Sequence, residues 1–272
     1  MSGMLIDGLV WEVRERGLGH PMLLLHGFTG RGTSWGAQAA AFAKRSRVIT
    51  VDLPGHGRSG TADPGRMTVE RTADDLAAIL RRLAAGPADV LGYSLGARIA
   101  LRLAVAHPAV VFRLVLESPS AGLATTAEHR DRRAADEALA ARIERDGIEA
   151  FVAGWERNPV FAAQVALAPG VAARQRSIRL RNDPRGLAAS LRGAGQGTME
   201  PLHDHLAGIT APTLVIAGAL DAIGRPRAEL VARGIPGAHL EIVQGAGHTP
   251  HLERNSVFHR LVTEFLQEVP AA

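Results

Sequence analysis

The chain has 272 residues, 46% of them apolar and 21% charged, with a formal net charge of +4 and no cysteine. That length suits one large α/β domain, or a core carrying an inserted subdomain. Disulfides, thiolate metal sites and a cysteine nucleophile are excluded, no apolar run approaches the roughly 20 residues that span a bilayer, and a modest charge without a basic tail or interleaved aromatics makes nucleic acid an unexpected partner.

Residues 1–10 lack a basic segment followed by an apolar core, so no secretion signal is expected and a cytoplasmic location is. Residues 5–14 alternate and predict a strand near a sheet edge. Residues 21–26 and 47–53 are short apolar runs, each leading into a glycine-containing turn. Residues 69–85 carry helical periodicity with charges on one face. A strand at 88–91, a tight turn and a helix to Ala106 follow, stopped by His107-Pro108. Further strands are predicted at 112–116, 212–217 and 239–243, and a closing helix at 255–268. Short buried strands alternating with helices imply a mostly parallel sheet covered on both faces. The alternation stops between about Gly122 and Leu206, where alanine- and arginine-rich stretches predict helices. The first spans 126–145 with Thr126 as N-cap, and Gly147, Pro159, Pro169 and Pro184 punctuate the rest. The expected organisation is therefore a core of residues 1–121 and 207–272, with residues 122–206 inserted after the sixth strand as a helical cap.

Gly92-Tyr93-Ser94-Leu95-Gly96 sits between a predicted strand and a predicted helix, the setting of a nucleophile elbow. The small residues permit a turn so tight that it holds the serine hydroxyl clear of the backbone, and the Leu95 amide falls at a helix N-terminus that favours developing negative charge. A serine at neutral pH needs an imidazole to take its proton, and the imidazole needs an acid to fix its tautomer. Asp221 and His248 both follow predicted strands through small-residue turns and complete the order Ser, Asp, His. Glu117 is a reserve acid and His251 a reserve imidazole, though packing is the better reading of His251. The amide of Phe28, after His26-Gly27, is the candidate second oxyanion donor opposite Leu95, and His26 is expected to order its own loop. The segment 52–59 is glycine-rich but lacks phosphate-loop spacing, and is read as structural. His203 and His205 have no ligand spacing and are expected at the surface, so neither a metal nor a cofactor is expected.

His26-Gly27, residues 52–59, the elbow, Asp221 and His248 together resemble the α/β-hydrolase superfamily over nearly the whole chain, which implies an α/β-hydrolase fold with an eight-stranded sheet. A narrower resemblance, to the 2-succinyl-6-hydroxy-2,4-cyclohexadiene-1-carboxylate synthase (MenH) family of menaquinone biosynthesis, is carried by the elbow with Ala97-Arg98 and by Glu117-Ser118-Pro119-Ser120-Ala121-Gly122-Leu123. It extends to the arginine-dense run from Arg130 to Asp136, the segment from Phe151 to Phe161, and Arg179-Leu180-Arg181-Asn182. Two departures are Ala97 in place of a usual glycine, and Ala222-Ile223-Gly224 after Asp221 in place of a lysine-bearing turn. The resemblance implies a lyase that abstracts a proton and expels pyruvate from a polycarboxylated cyclohexene, with Ser94 acting as a base. It implies an anionic small-molecule substrate whose carboxylates meet Arg98, Arg133 and Arg179, with Arg130 and Arg132 as alternatives to Arg133 in an unknown helical register. Tyr93 and Trp155 would line the pocket. The rival readings are a carboxylesterase acting through an acyl-enzyme and, more distantly, a non-catalytic binding module. An esterase for neutral esters has no use for three cations around its pocket.

Overall fold

The computed structural model describes residues 2–83 and 85–268; Ala84, within one predicted helix, and the last four residues of the predicted core lie outside them. The predicted first strand is a hairpin of two, β1 (Ser2–Ile6) and β2 (Leu9–Arg16). Asp7 and Gly8 turn with positive φ between them, a geometry that glycine and aspartate tolerate best. Then come β3 (His20–Leu25), α1 (Gly36–Phe42), β4 (Ser46–Val51), α2 (Val69–Arg82), β5 (Ala88–Tyr93), α3 (Leu95–Ala106) and β6 (Val111–Glu117). Three helices follow, α4 (Thr126–Trp155), α5 (Pro169–Leu180) and α6 (Pro184–Ala194). The chain closes with β7 (Thr213–Gly218), α7 (Gly224–Gly234), β8 (His239–Val243), α8 (Pro250–Glu253) and α9 (Asn255–Glu268). The last strand and last helix have the predicted bounds. The short α1 and α7 carry little periodic signal and were not legible in the sequence. No helix among the described residues is long and apolar enough to cross a membrane.

The eight strands form one sheet in the order β1-β2-β4-β3-β5-β6-β7-β8, antiparallel at the β1 and β2 pairings and parallel throughout the rest. Continuous apolar runs form its parallel strands because successive side chains feed opposite cores. Leu23, Val90, Leu114 and Val215 point to the face covered by α2, α3 and α7. Met22, Leu24, Leu91, Val115 and Leu214 point to the other, against Trp35, Phe42 and Phe258. α2 presents Val69, Ala73, Leu76, Ala77 and Leu80 to the first core, a spacing of one helical stripe. A third, smaller core joins α4 to α6 through Ala140, Ile143, Val152, Leu187 and Leu191.

α4 starts at Thr126 as read from sequence but runs on to Trp155, and its N-cap lies one residue earlier than expected. Thr125, not Thr126, is the N-cap, and its side chain and that of Glu128 cap each other's amides in a capping box. Gly147 breaks α4 with φ 80° and ψ 177°, where the sequence predicted punctuation.

The chain winds from β3 to β4 on one side, then crosses to β5 on the other side of β3. Such a reversal opens a crevice at the carboxyl ends of the flanking strands. The loops after β3 and β4 are tied there by buried imidazoles. The Leu53 amide donates to His26 Nε2 at 2.9 Å, which leaves Nδ1 to donate to the Gly27 carbonyl at 2.8 Å. His56 Nε2 accepts from the Thr29 amide at 3.3 Å. Asp52 holds the glycine-rich loop together by accepting from the Gly32 and Arg58 amides and from Arg14, so segment 52–59 has a structural account. Burial pushes His26 down to about 4 and, with the charge of His26 adding to it, His56 down to about 3.

The unfolded chain takes up a proton on each imidazole near its ordinary value, whereas the folded protein resists until well below it. Stability is therefore unaffected above about pH 6.5 and falls as pH drops from there toward 4. With two protons taken up on unfolding, the slope should approach about 2.7 kcal/mol per pH unit near pH 5. Urea unfolding at pH 7, 6 and 5 measures it, and a midpoint that does not move between pH 7 and 5 contradicts it.

Candidate active site

β5 runs straight into the elbow. Ser94 has φ 51° and ψ −105°, a strained backbone of the kind retained at functional sites. Its amide donates to the Glu117 carbonyl at 2.9 Å, and its own carbonyl accepts from Arg98 N at 3.1 Å to start α3. The glycines are required: a Cβ on Gly92 would collide with the Gly96 carbonyl, and one on Gly96 with the carbonyl of Leu25 at the end of β3.

Ser94, Asp221 and His248, distant in the chain, meet at the ends of β5, β7 and β8. His248 Nε2 lies 3.1 Å from Ser94 Oγ, and His248 Nδ1 lies 2.6 Å from Asp221 Oδ2. The second Asp221 oxygen accepts from the Gly224 amide at 2.8 Å. Burial opposes ionisation of Asp221, but the hydrogen bond and charge of His248 and the amides of Gly224 and Ile223 outweigh it and hold the carboxyl below its usual range. The His248 loop is pinned by Ser118 Oγ, which donates to the His248 carbonyl at 3.0 Å. The residues held in reserve are used elsewhere: the buried Glu117 carboxylate accepts from the His251 amide at 2.8 Å and contacts its Nδ1 at 2.9 Å. They clamp the end of β6, the strand beside the elbow strand, to the segment that follows His248.

The triad opens into a cavity of about 390 Å³ whose wall includes Phe28, Tyr93, Leu95 and Trp155. Trp155 meets Phe28 edge-to-face at 5.4 Å and Phe161 at a tilt at 5.6 Å, and Phe161 in turn stands 6.2 Å from the His248 ring. Trp155 Nε1 is enclosed, without a hydrogen-bond partner among the described residues. Tyr93 is half-buried, and desolvation, with the nearby Glu117 charge, pushes its phenol up.

A family model described as the alpha/beta hydrolase fold matches residues 20–255. A Klebsiella pneumoniae 2-succinyl-6-hydroxy-2,4-cyclohexadiene-1-carboxylate synthase is 32% identical over 86% of this chain and 88% of its own. A Bacillus subtilis protein that carries the synthase name provisionally is 39% identical over 97% of both chains. The solved structure of MenH from S. aureus superposes with a TM-score of 0.90 at 31% identity, covering 95% of this chain and 98% of that one. A thermophilic esterase from Thermogutta terrifontis superposes at 0.86 with 29% identity, covering 99% and 97%.

The chain belongs to the α/β-hydrolase family, in its 2-succinyl-6-hydroxy-2,4-cyclohexadiene-1-carboxylate synthase branch.

Against that family frame, the arginines sort into three settings. Arg98 is buried on α3 and lines the cavity; its Nη1 donates to the Ala194 carbonyl at 2.9 Å. Burial, followed by the charge of Arg132, pushes it down to about 10. On α4 the cavity receives Arg132, not Arg133. Arg132, Ala135, Asp136 and Leu139 form one helical face on the wall, and Arg132 pairs with Asp136 at 2.9 Å. Arg133 is exposed, its backbone and stem packed against Gly197. Stepping back in fours from the buried Ala140 through Asp136 would have selected Arg132. Arg179 is engaged elsewhere: it pairs with Glu156 at 3.0 Å and donates to Gln164 at 3.2 Å. It faces a small adjoining cavity with Phe28, Tyr93 and His251. Of the two outlying histidines, His205 is exposed as expected, whereas His203 is half-buried with Nε2 enclosed.

Proposed function

We propose that this α/β hydrolase is a 2-succinyl-6-hydroxy-2,4-cyclohexadiene-1-carboxylate synthase, a lyase of menaquinone biosynthesis that eliminates pyruvate from a polycarboxylated cyclohexene. The observation that carries this reading is the presence of the Arg98 and Arg132 guanidiniums on the wall of the same cavity as Ser94 and His248. Guanidinium groups match carboxylates in shape and charge. A triad that takes a proton can serve an elimination as readily as an acyl transfer. His248, oriented by Asp221, accepts the Ser94 proton. Ser94 Oγ then removes a proton from substrate carbon. The electron pair left behind forms the new double bond and expels pyruvate as its enolate, which the imidazolium reprotonates. The Phe28 and Leu95 amides are the donors for negative charge that develops on a substrate oxygen. Leu95, first in α3, has no intrahelical acceptor for its amide. Residues 122–206 act as a lid that excludes water, with Tyr93 and Trp155 packing the ring. The substrate is a small anion, the setting is cytoplasmic, and the steps as written use no metal or cofactor.

Ester hydrolysis through an acyl-enzyme is the second reading, favoured by the likeness to the Thermogutta terrifontis esterase. One comparison separates the two. Pyruvate release from the cyclohexene substrate, coupled to lactate dehydrogenase, is measured beside hydrolysis of p-nitrophenyl acetate. A kcat/KM for elimination at least about 10³-fold above that for the ester supports the lyase, and ester hydrolysis without pyruvate release refutes it.

A further inference from the structure

The same cavity carries a cation that neither the sequence pattern nor the family resemblance singled out. Arg227 stands on its wall beside Asp221, Ile223 and Gly224. The start of α7 puts it there. Gly224 gives its amide to Asp221, and Arg227, three residues on, falls on the same helical face. Arg225, on another face, pairs instead with Glu229. The Arg227 Nη1 donates to Gln196 Oε1 at 3.2 Å, and no ion pair to a carboxylate is formed by Arg227 or by Arg98 among the described residues. Two acids share the wall with them. Asp136 is engaged by Arg132, and Asp221 by His248.

The three guanidiniums also act on one another. After burial, the charge of Arg132 is the next influence pushing Arg227 down, and the charges of Arg132 and Arg227 both push on Arg98. Like charges gathered in a partly enclosed wall are unfavourable by themselves and become favourable when an anion enters among them. One carboxylate would be served by Arg98 with Arg132. A third cation, held by a neutral amide rather than neutralised by an acid, is left for another.

The geometry points to Arg227 as the residue that binds a second carboxylate of the substrate, at the end of the cavity beside Asp221, with Gln196 orienting the guanidinium. This rests on the polycarboxylate reading of the site and adds a specificity-determining group to it. Monocarboxylates gain little from Arg227; di- and tricarboxylates gain most.

The test uses the intact protein and the variants Arg227→Gln and Arg227→Lys, with pyruvate release and calorimetric titration of citrate as separate readouts. The expected result is a fall in kcat/KM of about ten- to a hundredfold in the glutamine variant. Lysine should recover part of it, because it keeps the charge but not the two-pronged contact. Citrate should weaken by a similar factor, while the melting temperature stays within a few degrees of the parent. A glutamine variant within about twofold of the parent in both readouts overturns the inference, as does a lysine variant no better than glutamine. A parent that releases no pyruvate but binds citrate through Arg227 would refute the proposed reaction and leave this site standing.

Discussion

Ser94→Ala, His248→Ala and Asp221→Asn are each expected to lower kcat for pyruvate release by at least about 10³-fold. The three groups act as one unit along two short contacts, 3.1 Å from Ser94 Oγ to His248 Nε2 and 2.6 Å from His248 Nδ1 to Asp221 Oδ2. Removing the hydroxyl deletes the atom that meets the substrate proton. Removing the imidazole leaves the hydroxyl near its solution acidity, far too weak a base at neutral pH. Asn at position 221 can still accept from the Gly224 amide, but its NH₂ group favours the wrong tautomer of His248. The triad variants should therefore fail by similar factors, and combining them should cost little more than the worst single change. Steady-state pyruvate release measures all of this, and a Ser94→Ala enzyme within tenfold of the parent would sink both the lyase and the esterase readings.

Arg98→Ala and Arg132→Ala are expected to cost about ten- to a hundredfold in kcat/KM for the anionic substrate. A charge-assisted hydrogen bond of roughly 1.5–3 kcal/mol is lost in each case. Arg133→Ala should stay within about twofold of the parent, because Arg133 is exposed and absent from the cavity wall. Two adjacent arginines on one helix thus differ by at least about fivefold, which composition alone cannot produce. Arg98 is buried, so its truncation also opens space; Arg98→Met keeps the volume and should lose activity to the same degree. Hydrolysis of a neutral ester should change little in all four variants. Equal losses on the anion and on the ester would make the arginines structural and remove the main support for elimination.

The elbow was readable because its requirement is local. A strand entering a helix through a turn this tight needs small residues at 92 and 96, and the chain has glycine at both. The order of the triad was readable for a similar reason, since Asp221 and His248 each follow an apolar strand through a short glycine-containing turn. The closing helix was legible at residue resolution. At the start of the chain, by contrast, alternation runs through a hairpin turn without changing period, so two strands looked like one.

What the sequence by itself determined is the alternating α/β core, the helical stretch after the sixth strand and the place of the serine, because apolar period and turn chemistry are properties of neighbouring residues. What only the tertiary structure decided is which cations line the cavity. α4 is charged on several faces around Arg130, Asp131, Arg132 and Arg133, so no apolar stripe sets its register there, and packing of Ala140 and Ile143 on α6 does so instead. Glu156 and Gln164 hold Arg179 at the neighbouring cavity. The Glu117–His251 clamp spans 134 positions. Arg227 reaches the cavity only because α7 packs where the Gly224 amide can meet Asp221. Electrostatic pairing depends on distances across the fold, and those exist only once the two cores have closed on the sheet.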